Sequence, residues 1–245
     1  MTTEFQKQPI LEHLNELRRR LTVAAVALIG GTIVSFIFAE QLLAFLIAPY
    51  GARVQAISPT DTISTYFKVA IVSGAVLTMP IILLQIWWFI SPGLEPRERR
   101  LVYLFVPAAF ALFLTGIVFS WLVLLPTAIR FLADFMPEIF TVEWTAPEYI
   151  GFTTRLLFWI GVSFEMPLII YLLARVGVLT ASTLREHWRV AVVAIAVLAA
   201  VITPTIDPVT MLLTMAPLVV LYLLSILLAV VGERQFQRSM AVSQP

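Results

Sequence analysis

The stretch His13-Leu14-Asn15-Glu16-Leu17-Arg18-Arg19-Arg20-Leu21 runs without a break into Leu21–Ala39, nineteen residues that carry no charge. At the helical rise, about 20 apolar residues cross a hydrocarbon core some 30 Å thick. Three arginines at its border are what a cytoplasmic membrane flank carries. The run is longer than the roughly 7–15 residues of a secretory signal core and ends at Glu40 without a small-residue cleavage site. It therefore reads as a retained membrane span. Glu16 is the residue in this stretch that neither insertion nor packing requires. A carboxylate near the headgroups can accept paired hydrogen bonds from a guanidinium.

Working outward, five stretches are long enough to cross: 21–39, 69–90, 101–125, 150–174 and 209–231. A sixth, 190–203, is short, at about 21 Å. The basic residues decide whether it counts. With six spans, twelve of the 16 lysines and arginines fall on one side: Lys7, Arg18 to Arg20, Arg97, Arg99, Arg100, Arg175, Arg185, Arg189, Arg234 and Arg238. The opposite connections hold only Arg53 and Arg130, while Lys68 and Arg155 lie in or beside spans. The expected fold is thus all-α, one polytopic domain of six transmembrane helices over residues 1–245 with both termini cytoplasmic. Segment 9–20 is expected as an amphipathic helix, with Ile10, Leu14, Leu17 and Leu21 on one face, lying in the interface and turning into the first span. The connections 40–67 and 126–149, punctuated by prolines, are expected to form a compact outer cap.

A hydrophobic fraction of 60%, a charged fraction of 13% and a mean hydropathy of +0.95 exclude an ordinary soluble domain, which carries about a quarter charged residues. Basic residues flank spans and form no stripe, so nothing points to nucleic acid. No cysteine is present, which excludes disulfides and thiolate chemistry. His13 and His187 both fall at the cytoplasmic surface, leaving no serine–histidine pair within a span. No phosphate-cradling glycine loop or metal-ligand spacing occurs, and no cofactor or enzyme activity is expected.

Two carboxylates, Glu16 and Glu98 of Pro96-Arg97-Glu98-Arg99-Arg100, fall on the same expected face among arginines. Together they suggest a receptor for a ligand carrying paired arginines. Each has a simpler reading: Glu16 paired with Arg20 four residues on, and Glu98 in the first turn of a helix opened by Pro96. Glu165, in Gly161-Val162-Ser163-Phe164-Glu165-Met166-Pro167, is the one acid well inside a span, about 13 Å from its inner end. It reads either as a hydrogen-bonded core acid or as a polar docking point for a partner helix. Pro167 should bend that helix and free a carbonyl. Arg155 should snorkel outward. The short fifth span should set Thr203-Pro204-Thr205-Ile206-Asp207-Pro208 below the outer headgroups.

His13-Leu14-x-Glu16-Leu17-Arg18-x-Arg20-Leu21, Glu98-Arg99-Arg100-Leu101, Gly161 to Pro167 and Thr203-Pro204 with Asp207 together resemble, in order, the signature of the TatC family of twin-arginine protein translocases. The resemblance implies a glove-shaped six-span receptor in the inner (cytoplasmic) membrane that exports folded proteins using the proton-motive force. Twin-arginine signal peptides would contact Glu16 and Glu98, with Arg18, Phe89, Arg99 and Arg100 close by. Glu165 would face a concave side where single-span TatA and TatB partners engage, and self-association is implied. Pro49 matches a sensitive proline of the first outer loop, and Asp207 belongs to the matched motif before the sixth span. Leu223 after Tyr222 and Met211 stand where polar residues are frequent in the family. A proton-coupled small-solute transporter carrying its proton on Glu165 is the alternative, disfavoured by the lack of a repeated half.

Overall fold

The structure is a computed structural model that describes residues 10–90, 102–139, 142–203 and 207–242, with side chains for 14–89, 105–139, 142–203 and 207–238. The described elements are helical apart from an isolated bridge between Gln55 and Thr145. In chain order they are α1 (Ile10–Ile37), α2 (Ala39–Ile47), a 3-10 turn (Ala48–Tyr50), α3 (Pro59–Ile90), α4 (Val102–Phe119), a π-turn (Ser120–Leu124), α5 (Leu125–Ala133), α6 (Ala146–Ser163), α7 (Met166–Arg175), α8 (Ala181–Glu186), α9 (Trp188–Ile202) and α10 (Pro208–Val242). Five described stretches are long and apolar enough to cross a membrane: Leu14–Ile37, Pro59–Phe89, Phe105–Ala133, Ala146–Arg175 and Pro208–Arg238. The shorter apolar helix Trp188–Ile202 joins them.

Several expected boundaries move, each for a local reason. The amphipathic segment does not turn into the first span; α1 is one uninterrupted helix from Ile10. Its Leu14, Leu17 and Leu21 remain exposed, leaving that face for lipid. The second span opens ten residues early, at Pro59. Asp61 reaches back to accept from the N–H groups of Ser58 (2.9 Å) and Ile57 (3.0 Å), satisfying donors ahead of the first turn. The third span extends to Ala133 because a π-turn carries the chain from α4 straight into α5. The fourth span divides in two at Phe164 and Glu165, since Pro167 has no N–H to continue the ladder. Pro217, by contrast, does not interrupt α10.

The chain forms two compact units. The first comprises Met1–Phe38 and Ala70–Phe110. There α1 and α3 meet backbone to backbone. A Cβ built on Gly74 would stand 2.6 Å from the Thr32 nitrogen, and one on Gly31 would stand 2.8 Å from the Gly74 carbonyl. In lipid, helices associate by such close packing, because there is no hydrophobic force between them. Trp87 stacks on Phe105, ring centroids 5.7 Å apart.

The second unit comprises Ala39–Val69 and Ala111–Pro245. Its central helix is α6, buried on almost every side by Tyr149, Ile150, Phe152, Leu156 and Ile160. Gly161 and Gly116 let α6 and α4 touch: a Cβ on Gly116 would lie 2.9 Å from the Gly161 Cα. The expected cap is helical in part and tied to α6. The Tyr149 hydroxyl donates to the Leu46 carbonyl (3.0 Å), Gln55 bonds Glu143, and the Gln55 N–H donates to the Trp144 carbonyl at 2.9 Å. Gly177, at φ +76°, closes α7 in the left-handed conformation, with Val178 N–H donating to the Leu173 carbonyl. Gly232 lets α10 approach α7, since a Cβ there would be 2.6 Å from the Tyr171 carbonyl oxygen.

Candidate functional site

Glu16 stands one turn before Arg20 on α1, and the two are paired, Nη2 to Oε1, at 3.2 Å. This realises the local i, i+4 reading, a pair of about 0.3–0.5 kcal/mol on an exposed helix. The Arg20 guanidinium also lies over the ring of Trp88, 5.1 Å from its centroid, near the end of α3. Carboxylate, guanidinium and indole thus form a ladder across two helices of the first unit. Both charged side chains remain partly exposed. Among the described residues, Oε2 of Glu16 accepts no hydrogen bond. A guanidinium arriving from outside would find an acceptor already oriented and a competing pair of little strength.

Arg18 is exposed on the same turn, and its carbonyl accepts from Thr22 Oγ1 (2.8 Å). Phe89 follows Trp88 and is half-buried. Glu98, Arg99 and Arg100 lie outside the described residues. Trp88 is the member of this arrangement that sequence reasoning missed. Its signal was available, because an aromatic pair at the end of a span marks the interface, where an indole can stack beneath a cation.

In the second unit Glu165 occupies the two-residue break between α6 and α7 and is 4% exposed. Its backbone is satisfied: its N–H donates to the Val162 carbonyl (3.1 Å) and its carbonyl accepts from Ile169 N–H (3.0 Å). The side chain is not, for buried Oε1 has no hydrogen-bond partner among the described residues. Leaving a buried polar atom unmet costs about 1–3 kcal/mol. The break is braced by the Phe164 ring, 5.8 Å from Phe119 and packed where a Gly116 Cβ would otherwise sit.

Pro49 lies within the 3-10 turn Ala48–Tyr50, which Gly51 ends at φ +73°. Tyr50 contacts Tyr149 at 5.5 Å, so this proline shapes the attachment of the cap to α6. Asp207 caps α10, its Oδ1 accepting from Thr210 N–H at 2.6 Å, with Pro208 in the first position of that helix. Arg155 bends toward the start of its helix, its Nε donating to the Gly151 carbonyl (2.9 Å). The structure therefore brings Glu16, Arg18 and the Trp88–Phe89 end of α3 into one unit. Pro49, Glu165 and Asp207 occupy three different places in the other. Among the described residues no group of three His, Cys, Asp or Glu could hold a metal ion.

The long apolar helices define a polytopic helical membrane protein, with a carboxylate–arginine–indole ladder at one border. A family model described as "Sec-independent protein translocase protein (TatC)" matches residues 12–217. The TatC protein of Deinococcus radiodurans is 37% identical over 235 residues, covering 92% of this chain and 87% of its own length. The chloroplastic TATC protein of Arabidopsis thaliana is 37% identical over 221 residues, 89% of this chain and 65% of its own. A crystal structure titled as the twin-arginine translocase receptor TatC superposes with a TM-score of 0.83 at 31% identity, covering 90% of this chain and 99% of that one. The chain belongs to the TatC family. It is a membrane component of a Sec-independent protein translocase, and the small-solute transporter alternative finds no support.

Proposed function

We propose that this protein is the twin-arginine signal-peptide receptor of its translocase, with Glu16 and Glu98 as the acidic acceptors. The observation that carries the reading is the Glu16–Arg20–Trp88 ladder, which orients at the border of a span a carboxylate oxygen that accepts no hydrogen bond among the described residues. A peptide guanidinium displaces a half-buried i, i+4 pair and gains a charge-assisted contact. Arg18, Phe89, Arg99 and Arg100 surround the peptide, the aromatic ring receiving its apolar core. Both termini lie in the cytoplasm and the membrane is the inner one, as the twelve basic residues on one side support. Glu165 is the docking point for single-span TatA- and TatB-type partners, because its buried unmet oxygen can be satisfied by a polar group on an incoming helix. Transport of folded cargo then draws on the proton-motive force, in an assembly containing further copies of this chain.

The test is titration of purified protein with a twin-arginine peptide and its double-lysine counterpart. Lysine keeps the charge and loses the planar fork, so affinity should fall at least about tenfold. Glu16→Gln should weaken the arginine peptide and narrow the difference between the two. Equal affinity of both peptides for the unaltered protein would refute the assignment.

A further inference from the structure

We propose a second binding site, for the phosphate of a membrane phospholipid, built by Lys68 on α3 and Arg155 on α6. Both residues lie nine positions inside their helices and yet direct their charge back toward the helix starts. Lys68 Nζ donates to the Pro147 carbonyl at a long 3.4 Å, and Arg155 Nε donates to the Gly151 carbonyl at 2.9 Å. The two cations converge over Gly151. A Cβ built on that glycine would stand 3.2 Å from Lys68 Nζ and 3.5 Å from Arg155 Nη2. The charged groups are therefore within about 7 Å of each other, a repulsive separation.

Two backbone carbonyls are the partners these cations have among the described residues, and no counter-charge offsets their repulsion. Neither cation pairs with a carboxylate among the described residues, where Glu16–Arg20 is the single ion pair. The nearest acids in sequence are both engaged at helix starts: Asp61 accepts from the Ile57 and Ser58 N–H groups, and Glu148 accepts from Thr145 Oγ1 at 2.7 Å. Pro147, Gly151 and Arg155 form one row of α6, so the pair lines a strip of that helix whose floor is bare backbone. Thr65, three residues before Lys68, adds a buried hydroxyl without a hydrogen-bond partner among the described residues.

The surroundings identify the anion's source. Lys68 is half-buried and Arg155 exposed, and both lie within membrane-crossing stretches. Exposed apolar side chains border them: Ile63 and Phe67, one turn apart on α3, and Trp159, one turn beyond Arg155. Acyl chains fit such a border, and a free anion does not enter hydrocarbon. Lys68 Nζ sits at the level of the first turn of α6, at the end of a membrane-crossing stretch, the depth at which a snorkelling cation meets headgroup phosphates. A phosphodiester between the two cations meets both and removes their repulsion.

Native mass spectrometry of the detergent-purified protein tests this with three probes: dioleoylphosphatidylglycerol, dioleoylglycerol with the same chains and no phosphate, and inorganic phosphate. Each basic residue near a membrane surface changes affinity about fivefold, so Lys68→Gln and Arg155→Gln should each weaken phosphatidylglycerol by about that factor and the double variant about thirtyfold. Dioleoylglycerol should bind all forms alike and weakly. Gly151→Ala is the variant that keeps both charges, and its methyl group should reduce phosphatidylglycerol binding severalfold by pushing the cations apart. Equal retention of phosphatidylglycerol by the unaltered protein and the double variant overturns the site. Retention of inorganic phosphate without phosphatidylglycerol overturns the lipid assignment.

Discussion

Two neighbouring glycines on α1 offer a sharp test of the first unit. Gly30 has nothing within 4 Å of where its Cβ would be, whereas a Cβ on Gly31 would lie 2.8 Å from the Gly74 carbonyl oxygen and closer still to the Thr78 methyl. Threonine can rotate; the backbone of α3 cannot. Ordinary contact begins at 3.4 Å, so Gly31→Ala must part the two helices by about 0.6 Å at their crossing. Overpacking of this kind costs about 1–3 kcal/mol, from which roughly 0.5–1 kcal/mol of alanine's better helix propensity is recovered. The net expectation is a loss of about 1–2 kcal/mol for Gly31→Ala and a gain of about 0.5–1 kcal/mol for Gly30→Ala. Reversible unfolding in mixed micelles, followed by tryptophan fluorescence, measures both. The ladder gives a second readout. Arg20 on α1 must stay over Trp88 on α3, so Gly31→Ala should also weaken twin-arginine peptide binding while Gly30→Ala leaves it unchanged. Indistinguishable stabilities for the two variants would refute the backbone-to-backbone crossing.

Two further outcomes follow from single residues. Glu165→Ala should leave peptide binding intact while recovery of single-span partners and export both fall, with Glu165→Gln intermediate because an amide keeps hydrogen-bonding capacity without a charge; co-purification beside peptide titration reads this, and normal partner recovery with Glu165→Ala would make the acid a packing residue. Asp207→Ala should destabilise the start of α10 by about 0.5–2 kcal/mol, and Asp207→Asn, which keeps the accepting oxygen, should restore most of it, measured by hydrogen exchange at Thr210.

The span count was legible because charges sit in islands. Apolar length alone left 190–203 undecided, and the arginines on either side resolved it. Boundaries were less legible, since helices are ended by backbone partners rather than by hydropathy. Ser58-Pro59-Thr60-Asp61 and Thr145-Ala146-Pro147-Glu148 each place an acid three residues after a hydroxyl, a start signal hidden inside segments that read as loops. The break at Glu165 was foreshadowed by Pro167, yet Pro217 lies unbroken in α10, so proline alone does not decide. At the candidate site, Glu16 and Arg20 were found by spacing. Trp88 was not, because its partnership with Arg20 joins residues 68 positions apart, and no local pattern encodes that meeting.

The brevity of α9 reaches beyond the protein. Its 15 residues rise about 22 Å, some 8 Å less than a typical hydrocarbon core, while neighbouring helices exceed that core. Lipids beside α9 must shorten their chains while those elsewhere need not, at a fraction of a kcal/mol per Å. Where α9 faces lipid, crossing the membrane requires the bilayer to thin beside it, and a thinned patch has a perimeter along which line tension acts. Two such patches merged have less perimeter than two apart. Thinning beside α9 would then act as an attractive force, borne by the bilayer itself, on a second short-helix membrane protein before a single side chain touches.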